Sequence, residues 1–237
     1  MLYIIGLGLN EKGISKEGLL ILEKCKKVYL EGYTIDFPYD INELKLGKKI
    51  EVLERKDVES NRLIKEAKSI PIALLVYGCP LFATTHISLV LDAQRQGVKT
   101  RIVYSASVFD AIAETGLQLY KFGKISSMPA WRNNYEPDSF LDFVEQNLSI
   151  KAHSLILVDI GLHFKKALVQ LEMAAQNKRL EFNKIIVCSK LGTEESRIFY
   201  ATTEILRKKE IEAPFCFIIP SELHFLEQEA LGRFGCL

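Results

Sequence analysis

Long hydrophobic runs are missing from this 237-residue sequence, and no apolar stretch nears the roughly 18 residues that cross a bilayer. A basic leader is missing too. Met1-Leu2-Tyr3-Ile4-Ile5-Gly6 starts at once as a strand pattern, so a cleaved signal is not expected and the cytoplasm is the expected compartment. Neither sign of charge dominates, with 31 basic and 30 acidic residues giving +1. No Lys/Arg stripe is interleaved with aromatics. Arg207-Lys208-Lys209 lies between Glu204 and Glu210 and reads as a solvated helix end, so direct nucleic-acid contact is not expected. The five cysteines (Cys25, Cys79, Cys188, Cys216, Cys236) form no C-x-x-C pair and are odd in number, which suits reduced thiols and excludes a disulfide framework. His86, His153, His163 and His224 lack the spacings of a zinc site, so no metal is expected.

What is present is ordinary globular composition, 48% hydrophobic and 26% charged. Strand and helix signals alternate along the whole length, which predicts an α/β fold. Strands are expected at Leu2–Leu7, Val28–Leu30, Glu51–Leu53, Ile72–Val76, Thr100–Tyr104, Ile125–Met128, Ser154–Ile160, Lys184–Ser189, Arg197–Thr202 and Phe215–Ile219. Helices are expected after Ser15 as a cap, over Val58–Lys68, from about Thr85 to Gln96, over Val108–Thr115 with Gly116 ending it, over Ser139–Asn147 behind Pro137, and at roughly Lys165–Gln176 and Glu222–Leu231. There is no internal repeat and no low-complexity linker. The division falls near residue 106, giving two α/β lobes, 1–106 and 107–237, that share a cleft.

Two turns carry chemistry. Gly6-Leu7-Gly8 ends the first strand, but position 11 is Glu11 and Glu31 matches a ribose-binding acid only weakly, so a dinucleotide fingerprint is not formed. Gly78-Cys79-Pro80-Leu81-Phe82-Ala83-Thr84-Thr85-His86 joins the strand Ile72–Val76 to a helix, where backbone N–H groups and a helix start share one rim. Read alone, this is a plain β–α turn with Thr84 or Thr85 as N-cap.

The detail of that loop resembles the Gly-Asp-Pro-Leu-Val-Ala-Thr-Thr-His loop of the diphthine synthases, members of the tetrapyrrole methylase superfamily. It differs only at Cys79 and Phe82, where the family has Asp and Val. Residues 5–9 reproduce the family's Ile-Gly-Leu-Gly-Leu, and Leu44–Glu54 is similar to its Leu-Gly-Lys segment. Ser105-Ala106-Ser107-Val108 resembles Gly-Ala-Ser-Ile, and Gly116–Gly123 resembles Gly-Leu-Gln-Leu-Tyr-Asn-Phe-Gly. Ser127–Trp131 with Glu136–Phe140, Leu157–Ile160, and Leu223-His224-x-x-Glu227 complete the series in order.

The resemblance implies two α/β lobes with S-adenosylmethionine in the cleft between them, a homodimer, and methylation of the modified histidine of translation elongation factor 2. Carried over residue by residue, it implies cofactor contacts at Leu9, Cys79, Phe82, Ser107, Val108, Ile160, Ala201 and His224. It assigns no catalytic residue. Leu9, Phe82, Val108 and Ile160 can also be read as core, Ser107 as an N-cap and His224 as a packed, hydrogen-bonded histidine, but for the set the resemblance outweighs these readings. Two departures stand out: the loss of the loop carboxylate at Cys79, and a chain shortened over Gly161–Asn183. A methylase acting on a corrinoid or another tetrapyrrole, and a non-catalytic binder of elongation factor 2 with an impaired cofactor site, remain alternatives at this point.

Overall fold

The computed structural model describes residues 1–235, so Cys236 lies outside the described residues. The chain divides into two compact units, Met1–Asp110 and the chain from Ala111 onward.

The first unit is built on β1 (Leu2–Gly6), α1 (Lys16–Lys24), β2 (Lys27–Glu31), β3 (Ile50–Leu53), α2 (Arg55–Val58), α3 (Arg62–Ser69), β4 (Ile72–Val76), α4 (His86–Arg95) and β5 (Thr100–Val103). All strand pairs are parallel, in the order β3-β2-β4-β1-β5. A parallel sheet covered on both faces needs apolar residues at successive positions, and every residue of β4 is buried at the centre of this one. Alternate side chains supply two cores. Ile4 and Leu74 pack with α3 and α4 on one face, while Ile5 and Leu75 pack with α1 on the other. Ser15 accepts from the Gly18 amide and caps α1 as its sequence predicts.

The single helix expected over Val58–Lys68 is two helices. Asp57 reaches back to the Glu54 amide and starts a turn earlier than periodicity shows. Ser60 Oγ then donates to Asp57 O and accepts from the Arg62 amide, closing one helix and opening the next.

The units meet in sequence within α5 (Val108–Ala111), which tightens into a 3₁₀ turn over Ile112–Thr115. Gly116, at φ 81°, ends it in the left-handed conformation, as expected. Ile112 and Leu117 are buried, while Phe109 and Leu119 on the same stretch are half-buried.

The second unit continues with β6 (Ser126–Met128), α6 (Phe140–Ser149), β7 (Ser154–Val158), α7 (Phe164–Lys178), β8 (Ile185–Ser189), β9 (Arg197–Ala201), α8 (Thr203–Leu206), β10 (Phe215–Ile219) and α9 (Phe225–Gly232). Its sheet runs β6-β7-β10-β8-β9, parallel at β6–β7 and antiparallel elsewhere. One core holds Phe140, Leu168, Leu171 and Phe217. The last helix starts at Phe225 and not at Glu222, because His224 is its N-cap. Among the described residues no helix is long and apolar enough to cross a membrane. No group of three or more His, Cys, Asp or Glu residues among them could hold a metal ion.

Candidate active site

Five of the eight residues implied by the resemblance fall in the first unit, on loops leaving the carboxyl ends of three adjacent strands. Leu9 follows β1, Cys79 and Phe82 follow β4, and Ser107 and Val108 follow β5. Parallel α/β sheets place ligands at this edge. Backbone pairing holds the loops together, with the Gly78 amide donating to Gly8 O at 2.9 Å and the Tyr77 hydroxyl donating to Leu9 O at 3.1 Å. Ser105 Oγ donates to Gly13 O at 2.9 Å and ties in the loop after β5. The approach is too close for any side chain at Gly6, where a Cβ would lie 2.5 Å from Gly78 O.

The loop from Gly78 to His86 closes on one carbonyl. Pro80 O accepts from Thr84 Oγ1 at 3.3 Å and from His86 Nδ1 at 3.2 Å, which places the imidazole proton on Nδ1. His86 is buried, and its Nε2 lies 3.8 Å from the buried Glu31 carboxylate. Ala83 takes up the left-handed turn at φ 52°. Thr85 holds the N-cap position of α4 without a side-chain cap bond, and Thr84 Oγ1 accepts from the His86 amide instead. The Thr-Thr-His end of the motif is therefore a clasp that shapes the loop.

Cys79 stands half-buried within this clasp as a free thiol. Phe82 is half-buried and stacks on Phe109 with ring centroids 5.5 Å apart. Leu9 is buried and Val108 half-buried. Ser107 donates through both its amide (2.7 Å) and its hydroxyl (2.8 Å) to one oxygen of Asp110. It is a helix cap, and its hydroxyl is left with acceptor capacity only.

The remaining three residues lie in the second unit. Ile160 is exposed just past β7, and Asp159 accepts both its amide and that of Ala130, joining the loops after β6 and β7. Gln170, buried on α7, accepts from the Trp131 amide and donates to Pro129 O. Ala201 is fully buried and ends β9 opposite Ile185. The register puts Ala201 at the sheet edge where β7 begins and Ile160 at the edge where it ends. The structure therefore does not bring these two together. They lie about 13 Å or more apart along a five-residue strand.

His224 is exposed, and its Nδ1 accepts from the Leu226 amide at 3.4 Å as the cap of α9. Its partner in the motif is the fully buried Glu227. Glu227 accepts the His224 amide (2.8 Å), the Gln118 amide (3.0 Å), Lys121 Nζ (2.6 Å) and His153 Nε2 (3.1 Å). Burial alone would raise this carboxyl. The Lys121 ammonium, the two amides and His153 outweigh it and hold Glu227 at about 2. One carboxylate thus joins the Leu-His-x-x-Glu segment to the Gly116–Gly123 segment, which explains why both carry the resemblance. Sequence reasoning names Glu227 only as part of its motif, and neither Glu227 nor His153 as a site residue. A Glu three residues after a capping residue is a capping-box signal that could have marked the first.

Comparison with known proteins agrees with this arrangement. Residues 1–206 match the family Tetrapyrrole (Corrin/Porphyrin) Methylases. A diphthine synthase of Methanothermobacter thermautotrophicus is 36% identical, the match covering 98% of this chain and 94% of that protein. A diphthine methyl ester synthase of Schizosaccharomyces pombe is 32% identical, covering 99% and 94% respectively. A crystal structure of a diphthine synthase superposes with a TM-score of 0.90 at 33% identity, covering 99% of this chain and 95% of that one. Full-length relatives of this kind favour neither the corrinoid alternative nor a non-catalytic binder. The chain belongs to the tetrapyrrole methylases and, among them, to the diphthine synthase group of methyltransferases.

Proposed function

We propose that this protein transfers methyl groups from S-adenosylmethionine to the amino group of the modified histidine of translation elongation factor 2, forming diphthine. The observation that carries the reading is the single rim formed by the loops after β1, β4 and β5. That rim presents Leu9, Cys79, Phe82, Ser107 and Val108 together.

When bound, S-adenosylmethionine supplies an electrophilic methyl group on a sulfonium. The residues of the rim fit it. Leu9, Phe82 and Val108 offer apolar surface to its purine and ribose, and Ser107 Oγ can accept from a ribose hydroxyl. We assign His224 to the same set of contacts, whereas Ile160 and Ala201, at opposite edges of the second sheet, cannot both join it. Cys79 is the poorest fit, since a thiol stands where the resemblance implies a carboxylate.

The acceptor chemistry asks little of a base. The amine needs alignment with the sulfonium methyl more than it needs a strong base, so alignment supplies most of the acceleration. Its lone pair forms the new N–C bond as the C–S bond breaks, and positive charge passes from sulfur to nitrogen. Water takes the ammonium proton before each further transfer. The protein's work is to orient the acceptor and exclude water. A homodimer and a cytoplasmic location belong to the same reading. Sedimentation at micromolar concentration showing only a monomer would remove the dimer from it.

Incubation with diphthamide-pathway elongation factor 2 carrying the unmethylated side chain, followed by intact-mass measurement, tests the reaction. Additions in steps of one methyl group that require S-adenosylmethionine are expected. An unchanged mass, with the donor shown to bind, would overturn the acceptor assignment.

A further inference from the structure

His153 is fully buried between β7 and the start of α9, and both its ring nitrogens are committed. Nδ1 accepts from the Ser221 amide at 3.0 Å, so the proton of the neutral ring sits on Nε2 and is donated to Glu227 at 3.1 Å. Its main chain is pinned as well, by the Lys121 carbonyl and the Gly123 amide, both at 2.9 Å. The ring packs edge-on against Phe122. Ser221 begins the short segment that ends at His224. His224 amide and His153 Nε2 bind different oxygens of the same carboxylate, Glu227. The imidazole is therefore a rigid spacer between Glu227 and the main chain leading into the His224 contact.

A second ring proton has one place to go. It must enter at Nδ1, where the Ser221 N–H already points, and two donors cannot share that position.

We propose that His153 is a positioning residue for the methyl-donor site: in the neutral Nε2–H form it fixes Ser221–His224, and protonation at Nδ1 expels the Ser221 amide, loosens His224 and weakens donor binding.

The inference rests on the proposed methyl-donor reading for its ligand, while its structural half stands on the ring alone. The charged groups facing this ring are Glu227 on α9 and Lys121 on the turn over Leu119–Lys121. Beside them lie the Lys151–Glu222 pair and His224 itself. Burial pushes the His153 imidazole below its ordinary value, while the Glu227 carboxylate pulls the other way and Lys121 adds to the lowering. The release therefore belongs below the ordinary histidine range.

Two measurements on the full chain test this. Long-range ¹H–¹⁵N NMR of the histidine rings near pH 8 should show His153 as the Nε2–H tautomer. On acidification the Ser221 amide resonance should move with the same midpoint as the ring. Titration calorimetry with S-adenosylhomocysteine should show affinity falling about tenfold across that midpoint, the effect of losing roughly one positioning hydrogen bond. His153→Asn keeps an acceptor near the Nδ1 position but cannot titrate, so its affinity should stay flat over the same range. A proton on Nδ1 near pH 8, a wild-type affinity that ignores the titration, or a wild-type profile retained in His153→Asn (which would assign it to His224) each overturns the inference. If S-adenosylhomocysteine and S-adenosylmethionine both fail to bind at any pH, the donor reading falls and takes the ligand half with it. The NMR result would still separate that failure from a failure of the spacer.

Discussion

Cys79 is the loop position at which the resemblance implies a carboxylate and this chain carries a thiol. It is half-buried in a loop whose shape is held by the Pro80 carbonyl with Thr84 and His86, so the backbone is set independently of the side chain at position 79. A carboxylate introduced there would find the loop already formed. Charge-assisted hydrogen bonds contribute about 1.5–3 kcal/mol, so Cys79→Asp is expected to tighten S-adenosylmethionine binding by roughly tenfold or more. Calorimetric titration of both proteins at one pH and salt concentration checks it. Equal or weaker binding in the variant would mean that another group already satisfies the donor's polar end and that the added charge is uncompensated.

Gly116 makes a second demand at this scale. Its φ of 81° disfavours a side chain, and an added Cβ would lie 2.2 Å from the Ala230 Cβ on α9. Gly116→Ala is therefore expected to destabilise the protein by about 2–4 kcal/mol, combining left-handed strain with overpacking. Urea denaturation would show it as a lower midpoint.

At the scale of elements, what the sequence made legible followed from periodicity. Ile72–Val76 and Phe215–Ile219 are unbroken apolar runs, and such runs have few homes outside a covered strand. The split of Val58–Lys68 into two helices was hidden because Asp57 and Ser60 act through single side-chain bonds that leave the apolar spacing of Leu63, Ile64 and Ala67 intact. Of the candidate site, the clustering at strand ends was legible and the rest was not. Leu9, Cys79, Phe82, Ser107 and Val108 gather because strand ends gather, and their sequence signals sit beside those strands. Ser107 showed a cap but not its Asp110 partner. Ile160 and Ala201 could not be sorted from sequence, since their places at opposite sheet edges depend on the antiparallel register of β10 and β8.

The knot around Glu227 draws on segments as far apart as Gln118 and His224, and its pH response follows from its members. Glu227 is held near 2 against an ordinary 4.5, so its stabilisation is full above about 4.5 and lost as pH falls toward 2. His153 is lowered from 6.5, so the unfolded chain takes up that proton first and stability again falls as pH drops below about 6.5. Both effects have the same sign. Acid should destabilise the protein in two steps, and Glu227→Gln should remove the lower one. Thermal unfolding followed from pH 7 to pH 3 would reveal it, and a profile identical to wild type in Glu227→Gln would refute the assignment.

For the whole molecule, the question is whether so many small adjustments still leave a working donor site. The relatives match along 98% and 99% of this chain. The steric fit at Gly6 and the four hydrogen bonds to Glu227 constrain the fold around these segments tightly. Ligand that binds only the folded state stabilises it by RT ln(1 + [L]/Kd), about 2.7 kcal/mol at a hundredfold excess over Kd. S-adenosylmethionine and its demethylated product should therefore each raise the melting temperature by several degrees at millimolar concentration. Adenosine alone should do less, because it lacks the polar methionine end, the part of the donor that we assign to Cys79. Cys79→Asp should enlarge the shift given by the complete donor while leaving the adenosine shift unchanged. If adenosine and the complete donor shifted the melting temperature equally in both proteins, position 79 would lie outside the donor's reach, and the rim would have to bind the ligand in a different orientation.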